Sequence, residues 1–331
     1  MPDAVTGWNT KFFDFPYLIN RIRKVGGDKM TKRFSPWGLV NPRKVTIMGQ
    51  ENHYYEIVGV QQLDFMDIFK KFGYTYGQQE SYRLDHVAHT VLGEKKIDYS
   101  EHGNLYTLYK EDYQKFIDYN IKDVELVQRM IEKTGLMQLT MTIAFKGGVN
   151  FEDAFGTTNI WDSFIYRVLN NQYIAAPPKE SKAKTSYPGG YVKDPAVGLH
   201  EWVTSFDLNS LYPNIIIQWN MSPETVLDGI LPNISVESML EHGHTPMEDR
   251  CVSPTGICFR KDKQGVIPAI ISQLYAERRV TKKEMLTTQQ EYENTRNQML
   301  QSKLVQLDNE QMAIKILMNS LYGALGNRYF R

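Results

Sequence analysis

The chain has 331 residues, enough for about two domains, and its 42% hydrophobic and 23% charged residues are an ordinary globular composition. Basic and acidic residues, 38 of each, cancel, so any polyanion-binding surface has to come from local arrangement rather than net charge. No apolar run reaches membrane-spanning length, no signal-peptide pattern opens the chain, and Cys251 and Cys258 lack the further ligands of a zinc site, which leaves a reducing, cytoplasmic setting as the expectation.

Residues 1–136 read as mixed α/β. Tyr55-Glu56-Ile57-Val58-Gly59-Val60 predicts a strand, followed by Leu63-Asp64-Phe65-Met66-Asp67-Ile68-Phe69. Residues 112–133 have helical spacing, with Phe116, Tyr119, Val124, Val127 and Met130 expected to be buried. A connecting region, 137–184, ends in a polar, Pro-bearing linker over 177–184. Next, Tyr187-Pro188-Gly189-Gly190-Tyr191-Val192 predicts a tight turn opening a strand, and Trp202-Val203-Thr204-Ser205-Phe206 predicts a strand that ends at Asp207. Ser253-Pro254-Thr255-Gly256 predicts a turn between two strands that carry the cysteines. Between Pro268 and Gly323 there is no Gly and no Pro. One helix of that length is atypical, so two long antiparallel helices are expected, with the turn at 306–310 and Asp308 or Asn309 as N-cap.

The sharpest chemical signal is Asp207-Leu208-Asn209-Ser210-Leu211-Tyr212-Pro213. A strand end delivers a carboxylate. Asn209 or Ser210 then caps a helix whose first turn accepts Pro213. Carboxylate and free helix amides side by side suit a Mg²⁺-bound triphosphate, although an Asp before a helix is also a common loop residue. In Lys315-Ile316-Leu317-Met318-Asn319-Ser320-Leu321-Tyr322-Gly323, Lys315, Asn319 and Tyr322 share one helix face, as they also would on an amphipathic helix with no ligand. Arg278 and Lys282 lie one turn apart, and antiparallel helices bring Lys315 toward them: three cations for a polyanion, or a solvated basic stripe. Near the N-terminus, Asn9 and Phe13-Asp14 precede Tyr119-Asn120-Ile121-Lys122-Asp123, whose Tyr and Asp share a helix face.

Together these stretches resemble B-family DNA polymerases, most of all the replicative enzymes of contractile-tailed phages. Residues 207–213 look like the first polymerase motif and 315–323 like the second, and Tyr187 with Gly189-Gly190 looks like the element between the exonuclease and polymerase domains. Gly7-Trp8-Asn9-Thr10-Lys11-Phe12-Phe13-Asp14 and Tyr119 to Asp123 are similar to the second and third proofreading motifs, and Ser222-Pro223-Glu224-Thr225 adds to the phage likeness.

The resemblance implies an RNase H-like 3′–5′ exonuclease portion over 1–136, a partial polymerase palm over 185–265, a two-helix antiparallel fingers domain over 266–327, and the start of a return to the palm over 328–331. Asp207 and the Leu208 carbonyl would bind catalytic Mg²⁺, with Mn²⁺ as a substitute. The Ser210 and Leu211 amides with Arg278, Lys282, Lys315 and Asn319 would hold the triphosphate. Tyr212 would exclude a 2′-hydroxyl. Tyr187, Gly189, Gly190, Tyr322 and Gly323 would meet DNA. Asp14 and Asp123 would bind the editing metals, and Tyr119 would orient the attacking water. The implied reaction is two-metal nucleotidyl transfer from dNTP to a primer 3′-hydroxyl on primer-template DNA.

No Asp-x-Glu motif stands upstream of Asp14, where the family has one, and the family's Tyr-Gly-Asp-Thr-Asp-Ser motif is not in the sequence. A second polypeptide or segment carrying them, and a sliding clamp, are expected partners, without which the chain is expected to be inactive. A phage protein would act in the host cytoplasm. The alternative is a catalytically silent module that binds DNA or nucleotide.

Overall fold

The computed structural model describes residues 1–47, 49–176, 192–243, 247–327 and 330. The chain divides into two compact units, Met1–Phe155 and Gly156–Arg331, both of mixed helix and strand.

The first unit runs β1 (Ala4–Gly7), α1 (Asp14–Gly26), α2 (Asp28–Thr31), β2 (Val40–Ile47), β3 (Gln50–Ile57), β4 (Gln61–Asp64), α3 (Phe65–Phe72), α4 (Leu84–Leu92), α5 (Leu105–Glu111), α6 (Tyr113–Thr134) and α7 (Leu136–Gly147). β1 pairs in parallel with β4, setting Gly7 opposite Asp64. β2 and β3 form an antiparallel hairpin. Phe15 and Ile19, one helical turn apart on α1, bury against Tyr55, Ile57 and Val60. On α3 the spacing Phe65, Ile68, Phe69, Phe72 builds one buried face, each side chain contributing about 1.5–3 kcal/mol. The predicted helix over 112–133 is α6, with Asp112 as its cap accepting from the Lys115 amide. Val127 and Met130 are buried as expected, joined by Leu126, while Val124 is 63% exposed. Leu126, Val127 and Met130 already fill the face that packs inward, and Val124 lies outside that arc.

The second unit runs α8 (Thr157–Asn171), α9 (Leu211–Gln218), β5 (Val226–Ile230), α10 (Val236–His242), β6 (Arg250–Val252), β7 (Ile257–Arg260), α11 (Val266–Thr295) and α12 (Gln298–Leu325). Its core joins Trp161 of α8, Ile216 of α9, Ile267, Ile270, Ile271 and Leu274 of α11, and Ile314, Met318 and Leu321 of α12. Trp161 Nε1 donates to the Leu317 carbonyl (3.2 Å) and Ser320 Oγ (3.0 Å), which satisfies its one polar atom in a buried place. β5, β7 and β6 form a small antiparallel sheet, with Cys251 opposite Phe259 and Cys258 opposite Val252, both thiols free.

The two long helices are present and antiparallel: Glu284 meets Lys303 (2.8 Å) and Arg278 meets Gln311 (3.3 Å), so partners rise along one as they descend the other. Their turn is not at 306–310. Leu307 there is buried, and Asp308 accepts from Gln311 one turn on, so the stretch lies within an unbroken α12. The turn is Arg296-Asn297. Arg296 takes a left-handed conformation (φ 53°), and the Asn297 side chain caps α12 by accepting from the Met299 amide (2.9 Å).

The strand predicted over 202–206 is absent. Trp202, Val203 and Phe206 are 97%, 75% and 91% exposed, and no strand among the described residues pairs with them. A strand exists only through its neighbour's hydrogen bonds, which β propensity cannot supply. The linker 177–184 and the Tyr187, Gly189, Gly190 turn lie outside the described residues. No helix among the described residues is long and apolar enough to cross a membrane.

Candidate functional site

In the first unit, α1 and α6 bring distant parts of the sequence to one cavity of about 790 Å³. Asn9, Asp14, Tyr119 and Asp123 line it together with Asp85 and Lys96. Asp14 is the first residue of α1. The loop before it is held by Asp64, which is buried and accepts from the Asn9 amide (2.9 Å), the Lys11 amide (3.3 Å), Thr10 Oγ1 (3.4 Å) and, as cap of α3, the Met66 amide (3.0 Å). Burial raises the Asp14 pKa most. A backbone hydrogen bond opposes that, and the Asp64 charge adds to it.

Tyr119 and Asp123 stand one turn apart on α6, and Lys96 Nζ joins them, 2.7 Å from Asp123 Oδ2 and 3.0 Å from the Tyr119 hydroxyl. Burial opposes charge on Lys96, but those two bonds outweigh it and raise its pKa. Asp123 Oδ1 is buried and has no hydrogen-bond partner. An orphaned carboxylate oxygen on a cavity wall, with a second carboxylate across the same cavity, is a hard oxygen donor set that fits Mg²⁺ or Mn²⁺. No group of three or more potential ligands occurs among the described residues.

In the second unit, Ser210 precedes α9 in a left-handed conformation (φ 51°, ψ 48°), and its side chain makes no capping bond. The Asn214 side chain holds the Asn209 carbonyl instead (2.9 Å). The helix N-terminus therefore presents amides that no described group accepts from, those of Ser210 and Leu211. Asn209 and Ser210 line a cavity of about 140 Å³ with Tyr275, Arg278, Arg279 and Lys282 of α11. Arg278 Nη2 donates to Gln311 Oε1, while its buried Nε has no acceptor.

Lys315 lies one turn beyond Gln311 on α12 and is exposed; it does not line this cavity. Asn319, Tyr322 and Gly323 continue along the same helix, all exposed. A Cβ at Gly323 would meet nothing within 4 Å, so no neighbour in this chain demands the glycine. Tyr322 stacks on Tyr212, with ring centroids 4.7 Å apart. Asp207 and Leu208 are exposed on the irregular stretch before α9.

The start of α11 is fixed by Asn220 and the Ser222-Pro223-Glu224-Thr225 turn. Asn220 bonds the Arg260 and Lys263 carbonyls and the Gly265 amide, and Glu224 accepts from the Val266 amide (2.6 Å). A Cβ at Gly265 would lie 2.6 Å from Ser222 Cβ, so only glycine lets this junction close.

Lys96, Asp64, Asp85, Tyr275 and Arg279 are site residues that motif reading misses. Lys96 and Asp85 have no periodic relation to Tyr119 or Asp14, and only the tertiary fold joins them. Tyr275 and Arg279 have a signal, since Tyr275 lies three residues before Arg278 and four before Arg279 on one helix.

Residues 156–330 match the sequence profile of DNA polymerase family B, and residues 1–87 match that of the DNA polymerase family B exonuclease domain. The chain is 30% identical over its whole length to the DNA-directed DNA polymerase of Enterobacteria phage T4, covering 41% of that protein. The match to the DNA-directed DNA polymerase of Escherichia phage RB69 is again 30% over the whole chain and 41% of the relative. DNA polymerase 1 of Pyrococcus abyssi is 29% identical over 98% of the chain and 38% of its own length. The chain thus spans about two fifths of the length of the curated relatives it matches.

Proposed function

The chain belongs to DNA polymerase family B, and from that membership we propose that it takes part in DNA-templated DNA synthesis with 3′–5′ editing, its substrates being primer-template DNA and deoxynucleoside triphosphates. The observation that carries the reading is the cavity in which Arg278 and Lys282 of α11 face the amide-bearing turn of Ser210. Two cations and a helix N-terminus around one small space select an anion with several oxygens, as a triphosphate has.

In this reading α11 and α12 are fingers helices, residues 185–265 belong to a palm, and residues 1–136 belong to an RNase H-like exonuclease portion. The Ser210 and Leu211 amides donate to phosphate oxygens, Arg278 and Lys282 neutralise them, and Lys315 and Asn319 extend the grip along α12. Asp207 and the Leu208 carbonyl would hold Mg²⁺, for which Mn²⁺ can substitute. Bound Mg²⁺ lowers the pKa of an attacking oxygen and offsets charge on a leaving one. Tyr212 stands at the helix start where an aromatic ring closes the space below C2′ of a sugar, and Tyr322 with Gly323 borders the base pair. In the first unit Asp14 and Asp123 would hold the editing metal. Tyr119 aims its hydroxyl at the attacking water, and Lys96 fixes both Tyr119 and Asp123.

The test is equilibrium binding of a fluorescent dNTP to the chain in Mg²⁺. Arg278→Ala is expected to weaken binding by roughly tenfold to a hundredfold, since a hydrogen bond to a charged group is worth about 1.5–3 kcal/mol. Tyr212→Ala is expected to leave dNTP affinity near wild type and bring rNTP affinity toward it. Binding insensitive to Arg278 contradicts the reading. Binding that needs Arg278 but no divalent cation favours the silent nucleotide-binding module.

A further inference from the structure

Beside the editing cavity lies an aromatic cluster that the functional reading leaves unused. Leu108, fully buried, anchors α5 and turns Tyr106 and Tyr109 outward; Tyr106 is 72% exposed and the neighbouring Tyr113 58%. Tyr109, between them, is 43% exposed. The rings are ordered among themselves. Tyr109 meets Tyr113 edge-on (5.5 Å, 74°) and Phe116 edge-on (5.4 Å, 76°). Phe116 lines the cavity that holds Asp14 and Asp123, and so does Leu105 at the start of α5. Tyr113, Tyr109 and Phe116 therefore run from open surface to the cavity wall, and Tyr106 joins them through Lys110.

A cation accompanies it. Lys110 Nζ lies 5.8 Å from the Tyr106 ring centroid and 5.5 Å from that of Tyr109. Nearby cations are neutralised: Lys96 by Asp123, Lys115 by Glu101, and Lys122 and Arg129 by Glu94. Among the described residues Lys110 forms no such pair, so its charge is available to a phosphate.

We propose that Tyr106, Tyr109 and Tyr113 with Lys110 form a stacking platform for single-stranded DNA whose 3′ end enters the Asp14–Asp123 cavity. Ring faces stack on bases without regard to sequence, and one ammonium per few rings takes the backbone charge. Paired bases present no free face at this surface, so single strands are preferred over blunt duplex. The polarity of the strand rests on the editing reading; the stacking itself does not.

The experiment places 5-iododeoxyuridine at successive positions from the 3′ end of an oligothymidylate and photocrosslinks it to the unaltered chain. Crosslinks to tyrosines within 106–113 are expected, and crosslinks confined to other segments overturn the proposal. Fluorescence anisotropy on the same oligonucleotide is expected to show Tyr109→Ala weakening binding about tenfold, the equivalent of one stacked base, and Tyr109→Phe keeping it. Lys110→Glu is expected to weaken it and to flatten its salt dependence. A folded Tyr109→Ala chain that binds like wild type overturns the proposal, as does equal loss in Tyr109→Phe. Failure of the editing reading looks different: the tyrosine crosslinks persist, but Mn²⁺ binds without regard to Asp14 and Asp123.

Discussion

Tyr212 and Tyr322 stack face to face, with ring centroids 4.7 Å apart and planes inclined by 17°. Tyr212 lies in the first turn of α9 and Tyr322 in the last turn of α12, so the stack clips these two helices together. Both rings are nearly half exposed, at 46% and 40%, which puts the pair at the weaker end of aromatic couplings. A double-mutant cycle of Tyr212→Ala and Tyr322→Ala in urea denaturation is expected to give a coupling of about 0.5 kcal/mol. Strict additivity would mean the rings touch without holding each other.

Ser210 holds the left-handed conformation on which the α9 amides depend (φ 51°, ψ 48°). That region costs an ordinary L-residue about 1–2 kcal/mol and a β-branched one more. Ser210→Gly is expected to leave the melting temperature unchanged or raised, and Ser210→Val to lower stability by about 1–2 kcal/mol relative to serine. Equal stability of the Gly and Val variants would contradict the strained turn.

Asp64 is the clamp behind Asp14. Its two oxygens take four donors from the Asn9–Lys11 loop and the start of α3, and it is buried. Asp64→Ala is expected to cost about 3 kcal/mol in chemical denaturation, since it removes charged hydrogen bonds and a helix cap together. Asp64→Asn, which keeps one accepting oxygen, should recover about half of that loss. A cost below about 1 kcal/mol for the alanine variant would show that water replaces the clamp.

The raised pKa of Asp14 makes a signed pH prediction. Folding favours its protonated form, so its contribution to stability is present below the ordinary carboxylate range and is lost as pH rises through the raised folded value. At neutral pH the ionised group works against folding. Asp14→Asn is therefore expected to melt higher than wild type at neutral pH, with the gap closing on acidification. A gap that is independent of pH, or that widens in acid, contradicts the half-buried placement of Asp14.

Much of this was legible in the sequence because local spacing carries it. Tyr119 and Asp123 share a helix face, the Gly- and Pro-free tail is helical, and Ser253 to Gly256 turns between two strands. What was not legible depends on partners. The stretch 202–206 has strand-like residues but no described strand beside it, so it stays irregular and exposed. The α11–α12 turn uses Arg296 in a left-handed conformation, which composition does not advertise, with Asn297 as the cap of α12. The Arg278–Lys282 pair does share a cavity with the Ser210 turn, but Lys315 is not on its wall. Lys96 was invisible to motif reading, since its place between Tyr119 and Asp123 is set by the packing of the loop after α4 on α6.

Mn²⁺ electron paramagnetic resonance on the intact chain measures most directly whether Asp14 and Asp123 share one divalent cation. Wild type is expected to bind Mn²⁺ at this site in competition with Mg²⁺. Asp14→Asn and Asp123→Asn should each weaken that binding, and the double variant should weaken it no further than the sum. Tyr119→Phe should leave it intact, because in the proposed reading the hydroxyl serves the water and not the metal. Wild-type Mn²⁺ affinity in both Asn variants would contradict the convergence of α1 and α6 on a metal-binding editing site.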